Sequence, residues 1–168
     1  MATAIKLVEP AQNQFLADLE RPAGRPNHFF RTMANRPEVL ERFVPLYRAI
    51  VGPGSVDRRT KELVYLTVSY TNRCAYCTAS HVASGRKAGV SDAEMRSLQN
   101  GEDQSFTAAE RAAIQYAREL TRTADGATTR AALDAHFSAE QIVEITMVAA
   151  MANFTNRFNN GLDLLPEQ

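Results

Sequence analysis

Three times along this chain a serine or threonine is followed three residues later by Glu or Gln: Ser91 with Glu94, Thr107 with Glu110, and Ser138 with Gln141. At that spacing the two side chains satisfy each other's backbone N–H groups at a helix start, and each pair leads into a run of good helix formers. Asp57 is a fourth N-cap candidate, placed after the stop signal Gly52-Pro53-Gly54 and before RRTKELVYLTVSYT. Pro37 suits the first turn of PEVLERFVPLYRAIVG, in which Pro45 predicts a kink. In TAAERAAIQYARELTRTADG, Ala113, Tyr116, Ala117 and Leu120 recur at helical spacing, and Gly126 stands past the end. SAEQIVEITMVAAMANFTNRFNN is apolar around much of its circumference, which places it at the centre of the core. VYLTV has β-branched content but lies inside a longer capped pattern, and Asp125-Gly126 joins two helical stretches and not two strands. The expected fold is all-α, one domain of about eight helices. Within it, residues 1–25 form an N-terminal helix and loop, with RPAGRPN as the loop, and residues 26–168 form the main helical unit.

A chain of 168 residues with 45% hydrophobic content can bury a real core. Lys+Arg and Asp+Glu balance at 19 each, so no net field draws it to nucleic acid or to an anionic membrane. The start, MATAIKLVEPAQNQF, lacks the sustained apolar run of a signal sequence, and nothing further on reaches membrane-spanning length. The expected compartment is the cytoplasm, where thiols stay reduced and a lone C-x-x-C is functional more often than a structural staple.

That C-x-x-C stands in RCAYCTASH, residues 73–81, and holds the only two cysteines of the chain. If the stretch is helical, a turn of about 100° per residue puts Cys74, Cys77 and His81 in one stripe of roughly 60°. Cys77 and His81 are then one turn apart, close enough for the imidazole to take or return a thiol proton. Cys74 falls near the helix N-terminus, where the helix dipole favours a thiolate. Glu62, on the preceding helix, reaches His81 if the two helices pack antiparallel. It would then orient the ring and raise its basicity; the competing reading is a solvated charge beside Arg58, Arg59 and Lys61. For the cysteines three readings compete. A dithiol redox centre has all its parts, whereas a thioredoxin-type module lacks its βαβ context. Zinc held by Glu62, Cys74, Cys77 and His81 lacks the usual two separated ligand pairs. The plain alternative is two buried cysteines of no special chemistry.

Glu62, Cys74-Ala75-Tyr76-Cys77 and His81, at these intervals, resemble the motif of the AhpD-like alkylhydroperoxidases of the carboxymuconolactone decarboxylase superfamily. The resemblance extends through RTKELVYLTVSYTNR and ASGRKAGVS to FTNRFNNG, from about residue 26 to 162. It implies an all-helical homo-oligomer, a trimer or hexamer, that reduces organic hydroperoxides to alcohol and water. It further implies that Cys77 attacks the peroxide and becomes a sulfenic acid, and that Cys74 resolves it as a disulfide. An external dithiol donor protein then reduces the disulfide, with electrons ultimately from NADH. Glu62 and His81 relay the proton in this scheme, and neither metal nor haem is required. The dipole argument favours the thiolate on Cys74, while the resemblance assigns attack to Cys77; a low Cys74 pKa would suit the sulfur at which reductant enters. Tyr76 departs from the pattern, since the best-known relatives place a histidine there and a phenol is a poor base near neutral pH. Two further readings stand beside the peroxidase. One is a non-catalytic redox sensor or assembly module; the other is a lactone decarboxylase, whose relatives lack the cysteine pair.

The remaining candidates read as structural. His28 anchors an early helix, His136 lies near a helix C-terminus, and Met147 and Met151 pack in the final helix. Arg58, Arg59 and Lys61 read as a solvated face, and Phe29, Phe30, Phe43 and Tyr47 as walls for an apolar hydroperoxide. Finally, KELVYLTVSYTNR can be laid over EQIVEITMVAAMA with Val64 on Val143 and Thr67 on Thr146. Asn153, Asn156 and Asn160 then fall where Cys74, Cys77 and His81 stand, an echo of internal duplication.

Overall fold

The computed structural model describes residues 5–167. Among these a 3-10 turn, Pro10–Gln12, is followed by nine α-helices and no strand. They are α1 Gln14–Glu20, α2 His28–Met33, α3 Pro37–Val51, α4 Arg58–Thr71, α5 Ala75–Lys87, α6 Asp92–Asn100, α7 Ala108–Thr123, α8 Arg130–Asp134 and α9 Ala139–Gly161. The caps stand where the sequence puts them. Asp57 accepts from the Thr60 N–H, and complete capping boxes open α6, α7 and α9. Helix α3 runs as one element through Pro45, whose ring lies on an exposed side.

The centre of the molecule is α4, not α9. Every α4 residue from Thr60 to Ser69 is buried. One of its faces meets the main apolar cluster through Val64, Tyr65 and Val68; another, through Leu63 and Leu66, meets a smaller cluster with Val90, Met95, Leu98, Phe106 and Ile114. Helices α5, α7 and α9 pack around it. Helix α9 buries one side and leaves Val143, Met147 and Phe154 exposed, so Met151 packs in the core but Met147 does not. The proposed internal echo does not repeat in space. Val64 is fully buried where Val143 is exposed, and α9 runs unbroken where α4 ends and a turn leads into α5.

The basic run before Glu62 is not a solvated face. Lys61 is buried, ion-paired to Glu144 and bonded to the carbonyls of Ile50 and Gly52. Arg59 bridges Glu94 of α6 and Glu110 of α7, leaving only Arg58 of the three largely exposed. Lys61 and Arg59 both end on backbone carbonyls and on acids of other helices, which hydropathy alone does not reveal. The N-terminal segment is tied in by Leu16, fully buried, and by the Glu20–Arg31 pair. Among the described residues no helix is long and apolar enough to cross a membrane.

Candidate functional site

The turn from α4 to α5 sets the site. Arg73 adopts a left-handed conformation, φ 53°, and the Cys74 N–H reaches back to the Ser69 carbonyl. That close return is how a chain leaves one helix and starts the next within three residues. On α9, Asn153 and Asn156 accept from the Asn72 amide, and Asn160 donates to the Asn72 carbonyl, pinning the turn from across the core. Helix α5 starts at Ala75, so Cys74 is its N-cap and not part of its stripe. The Cys74 sulfur accepts the Cys77 N–H at 3.4 Å, the place a serine or aspartate oxygen takes in most caps.

Both cysteines are free and buried, but they face different surroundings. Cys74 is sealed, whereas Cys77 lines a cavity of about 200 Å³. Phe29, Phe30, Tyr47, Tyr65 and Tyr76 wall that cavity, and Cys77, His81, Thr155 and Asn159 are among its polar groups, with Asn27 and Ser80. Phe43 does not line it: it stacks on Tyr47 at a ring separation of 5.5 Å and supports the wall from behind.

Glu62 and His81 meet as the antiparallel packing of α4 and α5 requires, with Oε2 2.8 Å from Nδ1. A carboxylate only accepts, so Nδ1 carries the hydrogen, and Nε2 lies 3.4 Å from the Tyr47 hydroxyl. The ring also stacks on Tyr65, centroids 3.5 Å apart. Both ring nitrogens are thus engaged away from Cys77, and the direct imidazole–thiol contact expected from the one-turn spacing is not made. Between them lie hydroxyls instead. The Thr155 Oγ1 donates to the Ala152 carbonyl, accepts from Tyr65 at 2.6 Å and lies 3.9 Å from the Cys77 sulfur. Burial pushes the Tyr47 phenol up to about 12 and Tyr65 well above its ordinary value, so both stay neutral hydroxyls.

The two sulfurs differ in acidity. The S–H of Cys77 bonds the Cys74 sulfur; although burial opposes it, this bond, the Cys77 N–H and the Asn159 amide lower the Cys74 thiol to about 7. Cys77, donating its S–H and desolvated, is pushed upward. Cys74 is therefore the more acidic of the two thiols, as the helix-dipole argument expects.

Tyr76, between the cysteines, holds structure together. Its hydroxyl donates to Glu167 Oε1 at 2.7 Å and accepts the Phe29 N–H at 3.2 Å. His28 joins the same latch, donating its N–H to Glu167, with Nδ1 3.3 Å from the Leu165 carbonyl. His136 is exposed beyond α8. Among the described residues no three His, Cys, Asp or Glu side chains converge as a metal cluster would require.

Residues 37–119 match the model of the Carboxymuconolactone decarboxylase family. The chain belongs to this family. The family segment contains α3 to α5 and thus Glu62, both cysteines and His81. Solved structures extend the likeness over the whole fold. An uncharacterized peroxidase-related protein of Ralstonia eutropha JMP134 with an alkylhydroperoxidase AhpD core superposes with a TM-score of 0.87. It is 21% identical, and the match covers 99% of this chain and 93% of that one. A protein of unknown function from Agrobacterium tumefaciens, a candidate antioxidant-defence protein AhpD, is 28% identical. Its TM-score is 0.73, over 80% of this chain and 95% of that one. The debrominase Bmp8 shares the fold at a TM-score of 0.85 and 20% identity, over 99% of this chain and 94% of that one. The family fold is thus the AhpD-like one, all-helical and single-domain.

Tyr65, Thr155 and Asn159 escape the sequence reading. Thr155 and Asn159 carry the one usable signal: two polar residues one turn apart in a helix otherwise apolar on that side.

Proposed function

We propose that this family member is a dithiol peroxidase for organic hydroperoxides, with Cys77 meeting the peroxide and Cys74 resolving it. The observation that carries the reading is that only one of the two sulfurs, Cys77, lines the aromatic cavity, with Cys74 sealed behind it as the cap of the same helix. The Cys77 sulfur attacks the terminal peroxide oxygen and the O–O bond breaks. The alcohol leaves with the thiol proton, and Cys77 carries S–OH. The Cys74 thiolate then attacks the Cys77 sulfur, hydroxide leaves and takes up a proton as water, and the disulfide closes. An external dithiol restores the pair. It attacks Cys77, the sulfur open to the cavity, and Cys74 departs as the better leaving thiolate, which reverses the expectation that reductant enters at Cys74. Glu62 and His81 hold and return the proton, through the Tyr47, Tyr65 and Thr155 hydroxyls in place of a direct contact. The aromatic walls suit an apolar substituent on the peroxide. Val39 and Leu46 of α3 and Phe154 of α9 leave an exposed apolar face edged by Arg36, Glu38 and Arg42. Its charges of both signs suit a second copy of this chain.

Turnover of cumene hydroperoxide with dihydrolipoamide as donor tests the reading. Alcohol should form over many turnovers with wild-type protein, to about one equivalent with Cys74→Ser and not at all with Cys77→Ser. Dimedone should trap a sulfenic acid in Cys74→Ser and none in Cys77→Ser; the reverse pattern sinks the assignment. Disulfide formation without turnover indicates the sensor, and loss of CO₂ from a lactone substrate the decarboxylase. A second reading, reductive dehalogenation, draws on the aromatic walls over a cysteine and on the debrominase, a variant of which has been solved with 2,3,4-tribromopyrrole. Bromide release from that pyrrole, with hydroperoxide left untouched, would favour it.

A further inference from the structure

Asn159 is almost wholly buried, and its Nδ2 donates to the Cys77 sulfur at 3.1 Å. Its Oδ1, sealed from solvent, has no hydrogen-bond partner among the described residues. The other buried amide of this stretch is satisfied at both ends: Asn156 donates to Ser69 Oγ and accepts from Asn72. A bare buried carbonyl is unfavourable, so the amide of Asn159 is not oriented by its own hydrogen-bonding needs. What its N–H end faces decides the orientation. A thiolate is a strong acceptor and a neutral thiol a weak one, so the donor is aimed at a sulfur that bears charge at some stage. Asn159 also lines the cavity beside Cys77, and its bare oxygen belongs to the same amide that touches the sulfur.

We propose that Asn159 is a catalytic residue: its amide N–H holds the negative charge that appears on Cys77 when the thiol proton leaves, and its Oδ1 accepts the O–H of the sulfenic acid that follows. The proposal rests on the reading of Cys77 as the reacting sulfur. The donor is in place before the reaction, so the charge develops against a fixed dipole instead of reorganising water. In that step the S–H bond breaks, the sulfur pair forms S–O as O–O breaks, and the alkoxide takes the proton. Asn159 changes only which of its ends is bonded.

The test is the pH dependence of Cys77 alkylation by iodoacetamide in a Cys74→Ser background, where the serine hydroxyl still caps α5. Asn159→Leu should raise the midpoint by about one pH unit, the effect of removing a hydrogen bond to the charged form. Asn156→Leu, which removes a buried amide touching neither sulfur, should lower stability and leave the midpoint in place. An unmoved midpoint in Asn159→Leu, or an equal shift in Asn156→Leu, overturns the proposal. If Asn159→Leu does not fold, Asn159→Ser supplies the same comparison. Alkylation needs no peroxide, so a shifted midpoint in a protein inert to hydroperoxides would contradict the peroxidase reading while leaving the charge-holding role of Asn159 standing.

Discussion

Lys61 and Glu62 are consecutive residues of α4, both buried and each bonded to a titratable partner, yet one pair is closed and the other open. The Lys61 ammonium uses all three hydrogens, on Glu144 and on the carbonyls of Ile50 and Gly52. Glu144 in turn accepts from the Ser55 N–H and hydroxyl and from the Val56 N–H. Nothing in that cluster is unused, and it clamps the loop between α3 and α4. Glu62 holds His81, whose second nitrogen meets only a long bond from Tyr47 and which lines the cavity beside Cys77. The difference teaches that buried charge by itself does not mark a site. Hydrogen-bonding capacity left partly free, and facing a cavity, does.

Breaking the closed pair should have the largest effect. Lys61→Met leaves the Glu144 carboxylate buried without its cation. Urea unfolding should show a loss of about 3–5 kcal/mol, with the thiol reactivity of the folded fraction unchanged. A parallel loss of thiol reactivity would erase the division between the two pairs. At the open pair, Glu62→Gln should slow Cys77 oxidation by about a hundredfold in stopped-flow measurements while costing less stability than Lys61→Met. The dithiol itself sharpens the contrast. Thiolate absorbance at 240 nm should rise by one thiolate per chain with a midpoint at about 7, and Cys77→Ala, which removes the S–H donor, should move that midpoint upward. Because the folded Cys74 thiol is depressed, its contribution to stability is fully present above the ordinary thiol range and is lost as pH falls through about 7. The smallest effect is expected at Tyr76→Phe, which removes the hydroxyl bonded to Glu167 and Phe29. It should cost about 1 kcal/mol in thermal unfolding and leave the rate of Cys77 oxidation nearly unchanged.

Much of the fold was legible because helix starts are local. Ser91, Thr107, Ser138 and Asp57 each announce a helix within four residues, and all four do so in the structure. The expected all-α fold of about eight helices agrees with the nine found among the described residues, of which the short α8 has no side-chain cap. The Glu62–His81 contact was legible for a related reason: the two residues lie on consecutive helices joined by a tight turn, so spacing fixes their relative places. Thr155 and Asn159 reach Cys77 across 78 and 82 residues of chain, a distance no local pattern encodes. Lys61 misled in the opposite direction. A lysine in a charged first turn reads as solvated until the carbonyls left bare at the end of α3 are seen to need a donor.

The central claim is that Cys74 and Cys77 form a dithiol oxidised by hydroperoxide. Free-thiol counting and intact mass, before and after one equivalent of cumene hydroperoxide, test it most directly. The account predicts rapid loss of two thiols and two mass units, in neither Cys74→Ser nor Cys77→Ser. Two thiols still free in the wild-type protein after exposure would contradict it.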